Sequence, residues 1–321
     1  MDWRARLWQE GLGLQAGEEA LLLVDQGLAD LGADLEREGR ALGARAALIV
    51  VAEPGGRPPA QLEGLAGKAD LILSLYSRFE LAHADPVMAL IATHRRGRWA
   101  YGAGLSEPVL AAAFARPLAP VAAAAAWWGA QLRRASEVRV TGPAGTDLRL
   151  RREGAPVLVE TGAWGLRGKR DQGEAKPLPR LAVTNLPGGE AYFAPEPGSP
   201  EGWLVADGAL GDIPLAAPVH LCFKAGTLVQ WSGDPGALAV LAERFAPYGG
   251  LAQARLCEFG VGANPYLKPS GHAALDEKRF GTAHLALTDP SGRLHYDAVI
   301  EEARVQVDQK GLSYSFHDYD L

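Results

Sequence analysis

Short apolar runs alternate with stretches of helical periodicity through the first part of the chain, and this alternation most narrowly limits the possible folds. Each run has the length of a strand, and the apolar residues between runs recur every three or four positions. Strands buried on both faces have this continuous apolar character, which is typical of a parallel sheet covered by helices. Residues 1–135 are therefore predicted to form an α/β domain with a Rossmann-like parallel sheet. The predicted strands are Ala20–Asp25, Ala47–Ala52, Asp70–Leu75 and Arg98–Tyr101, and the predicted helices are Asp30–Leu42, Pro59–Gly67, Ala84–Arg95, Pro108–Ala115 and Val121–Arg134.

The pattern changes after residue 135. Glu137–Arg152 alternates apolar and polar residues about a Gly-Pro-Ala-Gly turn, which predicts a β-hairpin. Proline and glycine then become frequent, and this indicates long loops of the kind on which functional sites are usually built. Residues 136–321 are predicted to form a β-rich α+β domain that binds metal and carries the catalysis. Its further predicted elements are strands at Gly202–Ala206, Val219–Lys224, Thr227–Gln230, Ala283–Leu287 and Val305–Val307, and a helix at Leu238–Ala246.

Charge and composition argue against two classes of partner. The formal net charge is −6, whereas a nucleic-acid binder usually carries a basic face. The most apolar stretch, Val121–Ala130, has ten residues, about half of what a membrane helix needs. The N-terminus is charged and lacks an apolar core, and the two cysteines, Cys222 and Cys257, fit a reducing compartment. We therefore expect a cytoplasmic protein that binds neither nucleic acid nor membrane.

His284, His295 and Asp297 are candidate metal ligands. Positions i and i+2 of a strand point to the same face, so His295 and Asp297 would lie side by side. His284 belongs to another alternating segment, and an Asp-Pro-Ser-Gly turn between the two segments predicts a hairpin that brings all three together. Two imidazoles and a carboxylate on adjacent strands can hold a divalent transition metal. Taken singly, however, a strand histidine is more often an ordinary surface or core residue.

Glu190 and Glu258 are candidate carboxylate ligands. Each stands in a glycine-rich segment beside apolar residues. On the residues alone, a glutamate in such a turn is more often solvated than recruited to a site. Two further carboxylates would nevertheless suit a second metal ion, with one carboxylate bridging the pair and a shared water activated between them.

Four phrases of this region together resemble a known family. Between about Asn185 and Ile300 the chain contains, in this order, NLPGGEAYFAP, EFGVGANP, LDEKRFGTAHLAL and HYD. Each phrase alone is a weak signal, but the ordered set is similar to the aminopeptidase T/aminopeptidase S family of thermophilic-type metallo-aminopeptidases. Residues 1–135 resemble that family only in general outline.

The resemblance implies hydrolysis of the N-terminal residue from a peptide or small amide, through water activated by two divalent ions. Zinc, cobalt or manganese would fill the site, and Glu258 and Glu277 would take catalytic roles, with Glu277 as a ligand, a supporting group or a proton shuttle. It also implies a homodimer, although the segment around Trp127 and Trp128 is more readily explained as core than as an interface. The implied metal ligands are Glu190, Glu258, His284, His295 and Asp297.

Three departures from the family pattern affect the substrate side. The chain is short for the family, the stretch between His284 and His295 is compressed and lacks an expected tyrosine, and Tyr296 stands where tryptophan is usual. These departures concern peptide specificity more than metal binding. Two other functions also stay open. One is a ring-cleaving dioxygenase, similar to 2,5-dihydroxypyridine dioxygenases, with a single iron on His284, His295 and Asp297. The other is a non-catalytic relative that binds peptides.

Overall fold

The computed structural model describes residues 1–51, 61–78, 97–152, 154–166, 177–178, 181–307 and 313–314. The predicted helix at Ala84–Arg95 lies outside these ranges. The described α-helices are α1 (Trp3–Arg6), α2 (Ala29–Ala41), α3 (Leu62–Ala66), α4 (Glu107–Ala113), α5 (Ala119–Arg134), α6 (Pro235–Phe245) and α7 (Ala273–Asp276), and short π or 3-10 helices occur at Leu7–Gly11, Gln26–Leu28, Trp164–Leu166, Ala246–Tyr248 and Leu251–Gln253. The strands are β1 (Glu19–Asp25), β2 (Arg45–Val51), β3 (Leu71–Leu75), β4 (Arg98–Gly102), β5 (Glu137–Thr141), β6 (Asp147–Arg151), β7 (Leu158–Glu160), β8 (Pro177–Leu178), β9 (Leu181–Asn185), β10 (Glu190–Phe193), β11 (Glu201–Ala206), β12 (Ala209–Leu210), β13 (Val219–Lys224), β14 (Thr227–Gly233), β15 (Arg255–Gly262), β16 (Ala283–Thr288), β17 (Tyr296–Ile300), β18 (Arg304–Val307) and β19 (Ser313–Tyr314).

A parallel sheet forms the centre of the first structural unit. Its strand order is β2-β1-β3-β4-β9, all parallel, with the short β8 antiparallel at one edge. The apolar runs of β1 and β3 are buried almost throughout, which explains their continuous hydrophobicity. The parallel sheet predicted for the first half of the chain is therefore present.

The chain passes between the two structural units more than once. One unit comprises 1–122 and 160–188, and the other comprises 123–159 and 189–321. The sequence predicts a single boundary after residue 135, and the structure differs because β9 pairs in parallel with β4 and so belongs to the first sheet. Pairing between strands so distant in sequence leaves no local signal in the residues.

An antiparallel sheet dominates the second unit. Its main path runs β12-β17-β16-β15-β14-β13-β11-β6-β5-β18-β19, and β10 pairs with β15 and β7. The hairpin predicted for Glu137–Arg152 is formed by β5 and β6. Trp128 of α5 is fully buried in the core of this unit, and Trp127 packs against it edge-on. This confirms the interpretation of the Trp127–Trp128 segment as core.

The start of α6 has a clear local cause. The helix predicted at Leu238–Ala246 begins earlier, at Pro235, because Asp234 caps it by accepting hydrogen bonds from the backbone N–H of Gly236 and Ala237.

No helix in the described part of the chain has both the length and the apolar character that crossing a bilayer requires.

Candidate metal centre

One face of the sheet around β15 collects the predicted ligands. Cross-strand partners share a face, and Glu258 of β15 pairs with Ala286 of β16, which in turn pairs with Asp297 of β17. His284 lies on the same face as Ala286, two residues away, and pairs with Gly260. The opposite face supplies the hydrophobic core, with Ala191, Phe193, Phe259, Val261, Leu285, Leu287, Ala298 and Ile300 buried there. Strand alternation therefore separates a polar site from the core.

Glu190 joins this face from β10. It pairs with Gly262 of β15, which lies two residues beyond Gly260 on the same side of the strand. The predicted carboxylates Glu190 and Glu258 thus come from different strands yet face the same side. Glu190 is the first residue of β10, directly after Gly188 and Gly189, and Glu258 lies inside β15, so both carboxylates belong to paired strands and not to solvated turns.

An irregularity in β15 directs Glu258 toward this face. The register shifts between Leu256 and Glu258, so Leu256 pairs with Leu287 of the core while Glu258 pairs with Ala286. In a regular strand, two residues separated by one position lie on the same face, and Glu258 would then follow Leu256 toward the core. The unpaired Cys257 between them reverses this direction. Bulges that re-aim a side chain are frequent next to active sites.

Gly260 makes room for His284. A Cβ at Gly260 would lie 2.2 Å from both Cε1 and Nε2 of the His284 ring, so the imidazole lies directly over the backbone of β15. The ring is fully buried. A glycine inside a strand often marks such a close approach.

The side chains of three possible metal ligands lie close together at His284. Glu258, His284 and Asp297 each offer an atom within 4.8 Å of the others. His284 Nε2 lies 3.5 Å from Glu258 Oε1 and 3.5 Å from Glu190 Oε2. Two ligands of one ion with bonds near 2.1 Å are about 3.0–3.4 Å apart at octahedral or tetrahedral angles. The spacing around His284 is therefore close to that of a metal coordination sphere.

His295 lies at the border of this group. Its Nε2 is 3.3 Å from Asp297 Oδ1, as the i and i+2 spacing predicts, but 38% of its side chain is exposed. Its Nδ1 lies 3.9 Å from the Cys257 sulfur. Because β16 and β17 place Asp297 opposite Ala286, His284 and His295 stand on either side of Asp297.

The LDEK phrase forms a turn that holds acidic residues beside the sheet. Asp276, the last residue of α7, accepts hydrogen bonds from the backbone of Ser270 and Gly271 and thereby organises the preceding loop. Glu277 is buried, and its Oε1 accepts a hydrogen bond of 2.5 Å from Lys278 Nζ. Lys278 Nζ also donates to Glu190 Oε1 at 2.7 Å. The sequence pattern predicts no role for Lys278. The feature that could have pointed to it is its position next to Glu277 in the LDEK phrase.

Buried charge at this face is unbalanced. Among the described residues, four carboxylates, from Glu190, Glu258, Glu277 and Asp297, face one ammonium, that of Lys278, which leaves a formal charge of −3 when the acids are ionised and the imidazoles neutral. Buried charges are costly unless they are paired or bind metal. The arrangement therefore favours cations.

The same imbalance shifts proton affinities in the metal-free chain. Burial alone lowers the pKa of His284, but contact with Glu258 and the charges of Glu277, Glu190 and Asp297 outweigh it and raise the pKa to about 9. The charge of Asp297 raises the pKa of His295 to about 12. Burial, together with the Asp297 charge, raises the pKa of Glu277 well above its usual range. Protons thus partly supply the positive charge that the site requires.

The donor atoms fit divalent ions. Glu190 Oε2, His284 Nε2 and Asp297 Oδ1 are buried and form no hydrogen bond of good geometry among the described residues, although groups of the opposite type lie 3.3–3.5 Å away. Buried polar atoms nearly always have a partner. Imidazole nitrogens and carboxylate oxygens are the ligands that zinc and related ions use, so three unpartnered atoms of these types in one place meet the requirements of a metal site.

Metal binding is expected to release about two protons at pH 7, one from each of His284 and His295, because both imidazoles have a raised pKa and ligate only as neutral bases. Since protons compete with the metal, its apparent affinity should rise steeply with pH until His284 loses its proton near pH 9, and less steeply above that until His295 loses its proton near pH 12. Calorimetric titration in buffers of different ionisation enthalpy measures the release. Binding without proton release would show that the imidazoles are already neutral.

Comparison with known proteins supports the fold. No protein-family model and no curated protein matches the chain in sequence. Among solved structures it is similar to 2,5-dihydroxypyridine dioxygenase of Pseudomonas putida KT2440, with a TM-score of 0.69 and 14% identity over 98% of this chain and 96% of that one. It is also similar to AmpT, an aminopeptidase of Thermus thermophilus, with a TM-score of 0.64 and 19% identity over 97% of this chain and 96% of that one. The chain therefore has an aminopeptidase-like fold, which an oxygenase shares.

Proposed function

We propose that this protein is a metal-dependent aminopeptidase that hydrolyses the N-terminal residue of peptides or small amides. Two divalent ions, zinc, cobalt or manganese, would be held by ligands from four strands and the residue that precedes β17. The proposed ligands are Glu190, Glu258, His284, His295 and Asp297.

The number and type of donors carry this proposal. A facial iron site uses two histidines and one carboxylate, and leaves its other positions for oxygen and substrate. Here Glu258 lies within 4.8 Å of His284 and Asp297, and Glu190 lies 3.5 Å from His284. Two carboxylates beyond the facial set are what a second ion would require. The excess of buried negative charge supports the same assignment.

The bound ions and the side chains around them would have separate roles in hydrolysis. Divalent ions bound here would lower the pKa of a water toward 7 and polarise the scissile carbonyl. Glu277 would accept a proton and return it to the leaving amine, because burial and the charge of Asp297 raise the pKa of its carboxyl group well above the usual range and so strengthen it as a base. Lys278 holds Glu277 in place through the hydrogen bond to Oε1. Burial of His284 and Glu190 keeps bulk water away from the ligands.

A ring-cleaving dioxygenase is the second candidate. The dioxygenase of Pseudomonas putida has the higher TM-score of the two structures, although AmpT has the higher identity. His284, His295 and Asp297 lie on or next to adjacent strands and would supply the facial ligand set. At such low identities neither likeness decides the activity, so the donor set carries more weight.

A panel of activity assays distinguishes the aminopeptidase from the dioxygenase. Purified protein supplied with zinc, cobalt or manganese is expected to release p-nitroaniline from aminoacyl-p-nitroanilides, and chelation should abolish the release. The same preparation with ferrous iron should consume no oxygen when 2,5-dihydroxypyridine is added. Oxygen consumption without hydrolysis would establish the dioxygenase instead. Failure to bind any divalent ion would favour a non-catalytic peptide-binding relative.

A further inference from the structure

Lys278 lies at the side of the candidate metal centre and contacts two of its acidic residues. Its side chain is 3% exposed, and Nζ donates to Glu190 Oε1 at 2.7 Å and to Glu277 Oε1 at 2.5 Å. A buried ammonium between two carboxylates is expensive to desolvate, so its burial here points to a role besides stability.

The backbone fixes this lysine firmly. Its carbonyl accepts hydrogen bonds from the N–H of Ala263 at 3.0 Å and of Asn264 at 2.8 Å. The turn also passes close over β15, since a Cβ at Gly262 would lie 2.1 Å from the Arg279 carbonyl oxygen. The base of the Lys278 side chain is therefore held against the strand that carries Glu258. The ammonium has a defined position relative to the ligands.

Glu190 has two oxygens with different surroundings. Oε1 accepts the hydrogen bond from Lys278, whereas Oε2 is buried without a hydrogen-bond partner among the described residues. Oε2 lies 3.5 Å from His284 Nε2, close to the separation of two ligands on one ion. Rotation of the carboxylate would exchange these environments, and the bond to Lys278 opposes that rotation.

We propose that Lys278 is a positioning residue that holds Glu190 Oε1, so that Oε2 is presented to the metal beside His284. The inference rests on the proposed function, because it assigns a role toward the metal of that same site. Partners that orient metal ligands in this way typically contribute 10–100-fold to metal affinity.

A competing effect has the opposite sign. An ammonium close to the ligands repels a divalent cation, so loss of this charge alone would tighten metal binding. If Lys278 acted only as a stand-in for a cation, Lys278→Met would therefore increase the affinity. If it positions Glu190, the same substitution decreases it. The direction of the change separates the two roles.

The test is calorimetric titration of the metal-free full chain with zinc and with cobalt. Lys278→Met is expected to bind the ion about 10–100-fold more weakly than wild type. Its cobalt absorption spectrum should resemble that of Glu190→Gln, since both variants lose a correctly placed Glu190. Lys224→Met, at the exposed end of β13, is the matched control and should bind like wild type.

The double variant Glu190→Gln/Lys278→Met completes the cycle. Because Lys278 acts through Glu190, the double variant should bind the ion no more weakly than Glu190→Gln alone. The double variant should also fold more readily than the single lysine variant, since it leaves one carboxylate, that of Glu277, without its ammonium partner instead of two. Unchanged or tighter binding in Lys278→Met, or additional loss in the double variant, overturns the role of Lys278. Absence of metal binding by wild type would instead refute the proposed function.

Discussion

Glu258→Gln is expected to lower kcat/KM for aminoacyl-p-nitroanilides by at least about 10³-fold, which corresponds to about 4 kcal/mol of transition-state stabilisation. Glu258 offers a ligand atom within 4.8 Å of those of His284 and Asp297, so one ion could contact all three, and a neutral amide is a much weaker ligand than a carboxylate. His284→Ala should have an equally large effect, because it removes the only imidazole in that group of three. Steady-state kinetics at saturating metal measure both losses.

The Glu258→Gln variant is expected to fold. The substitution removes one negative charge from a crowded acidic site, so the metal-free variant should unfold close to the Tm of the metal-free wild type. The rise in Tm that metal produces in wild type should be lost, because only the folded state binds the ion tightly. Glu243→Gln, on the exposed side of α6, provides the control. Wild-type hydrolysis by both Glu258→Gln and His284→Ala would show that the site is wrongly assigned.

Gly260→Ala is expected to damage both stability and metal binding. The added methyl would meet the fully buried His284 ring at 2.2 Å, so the ring or the backbone of β15 would have to shift. Overpacking of this kind costs about 1–3 kcal/mol, or roughly 2–12 °C in Tm for a unit of this size. A displaced His284 should also bind metal at least about tenfold more weakly, which thermal melts with and without metal would reveal.

A second glycine supplies the control for this substitution. A Cβ added to Gly64, in α3, would have no atom within 4 Å, and the residue lies inside a helix, where alanine is favoured over glycine. Gly64→Ala should therefore be neutral or slightly stabilising, with unchanged metal affinity. If Gly260→Ala melted and bound metal like wild type, His284 would not need to lie over β15.

Much of the fold follows from local pattern. The hairpin at Glu137–Arg152 and the strand at Val219–Lys224 were predictable because alternation with period two records which face is buried. The membership of β9 in the parallel sheet was not, because it depends on pairing with β4 across a long stretch of intervening chain. Such pairing is decided by the folded sheet and not by the residues of Leu181–Asn185 themselves.

The candidate site was also only partly predictable from the sequence. The i and i+2 spacing and the turn between β16 and β17 predicted that His284, His295 and Asp297 would lie near one another, and the structure brings His284 to Asp297 and Asp297 to His295. Glu190 and Glu258 were predicted as metal ligands because of the family resemblance. A glutamate beside glycine shows no local sequence pattern that indicates burial. The burial of Lys278 was beyond sequence reasoning, since a lysine is rarely enclosed and its partners come from separate segments.

Anomalous diffraction from crystals grown with cobalt is the most direct test of a dinuclear hydrolytic centre. We predict two peaks roughly 3.5–4 Å apart, with Glu258, His284 and Asp297 in bonding contact with at least one of them. A single ion held by His284, His295 and Asp297, with Glu190 and Glu258 uninvolved, would contradict this account and point to the iron-type facial site.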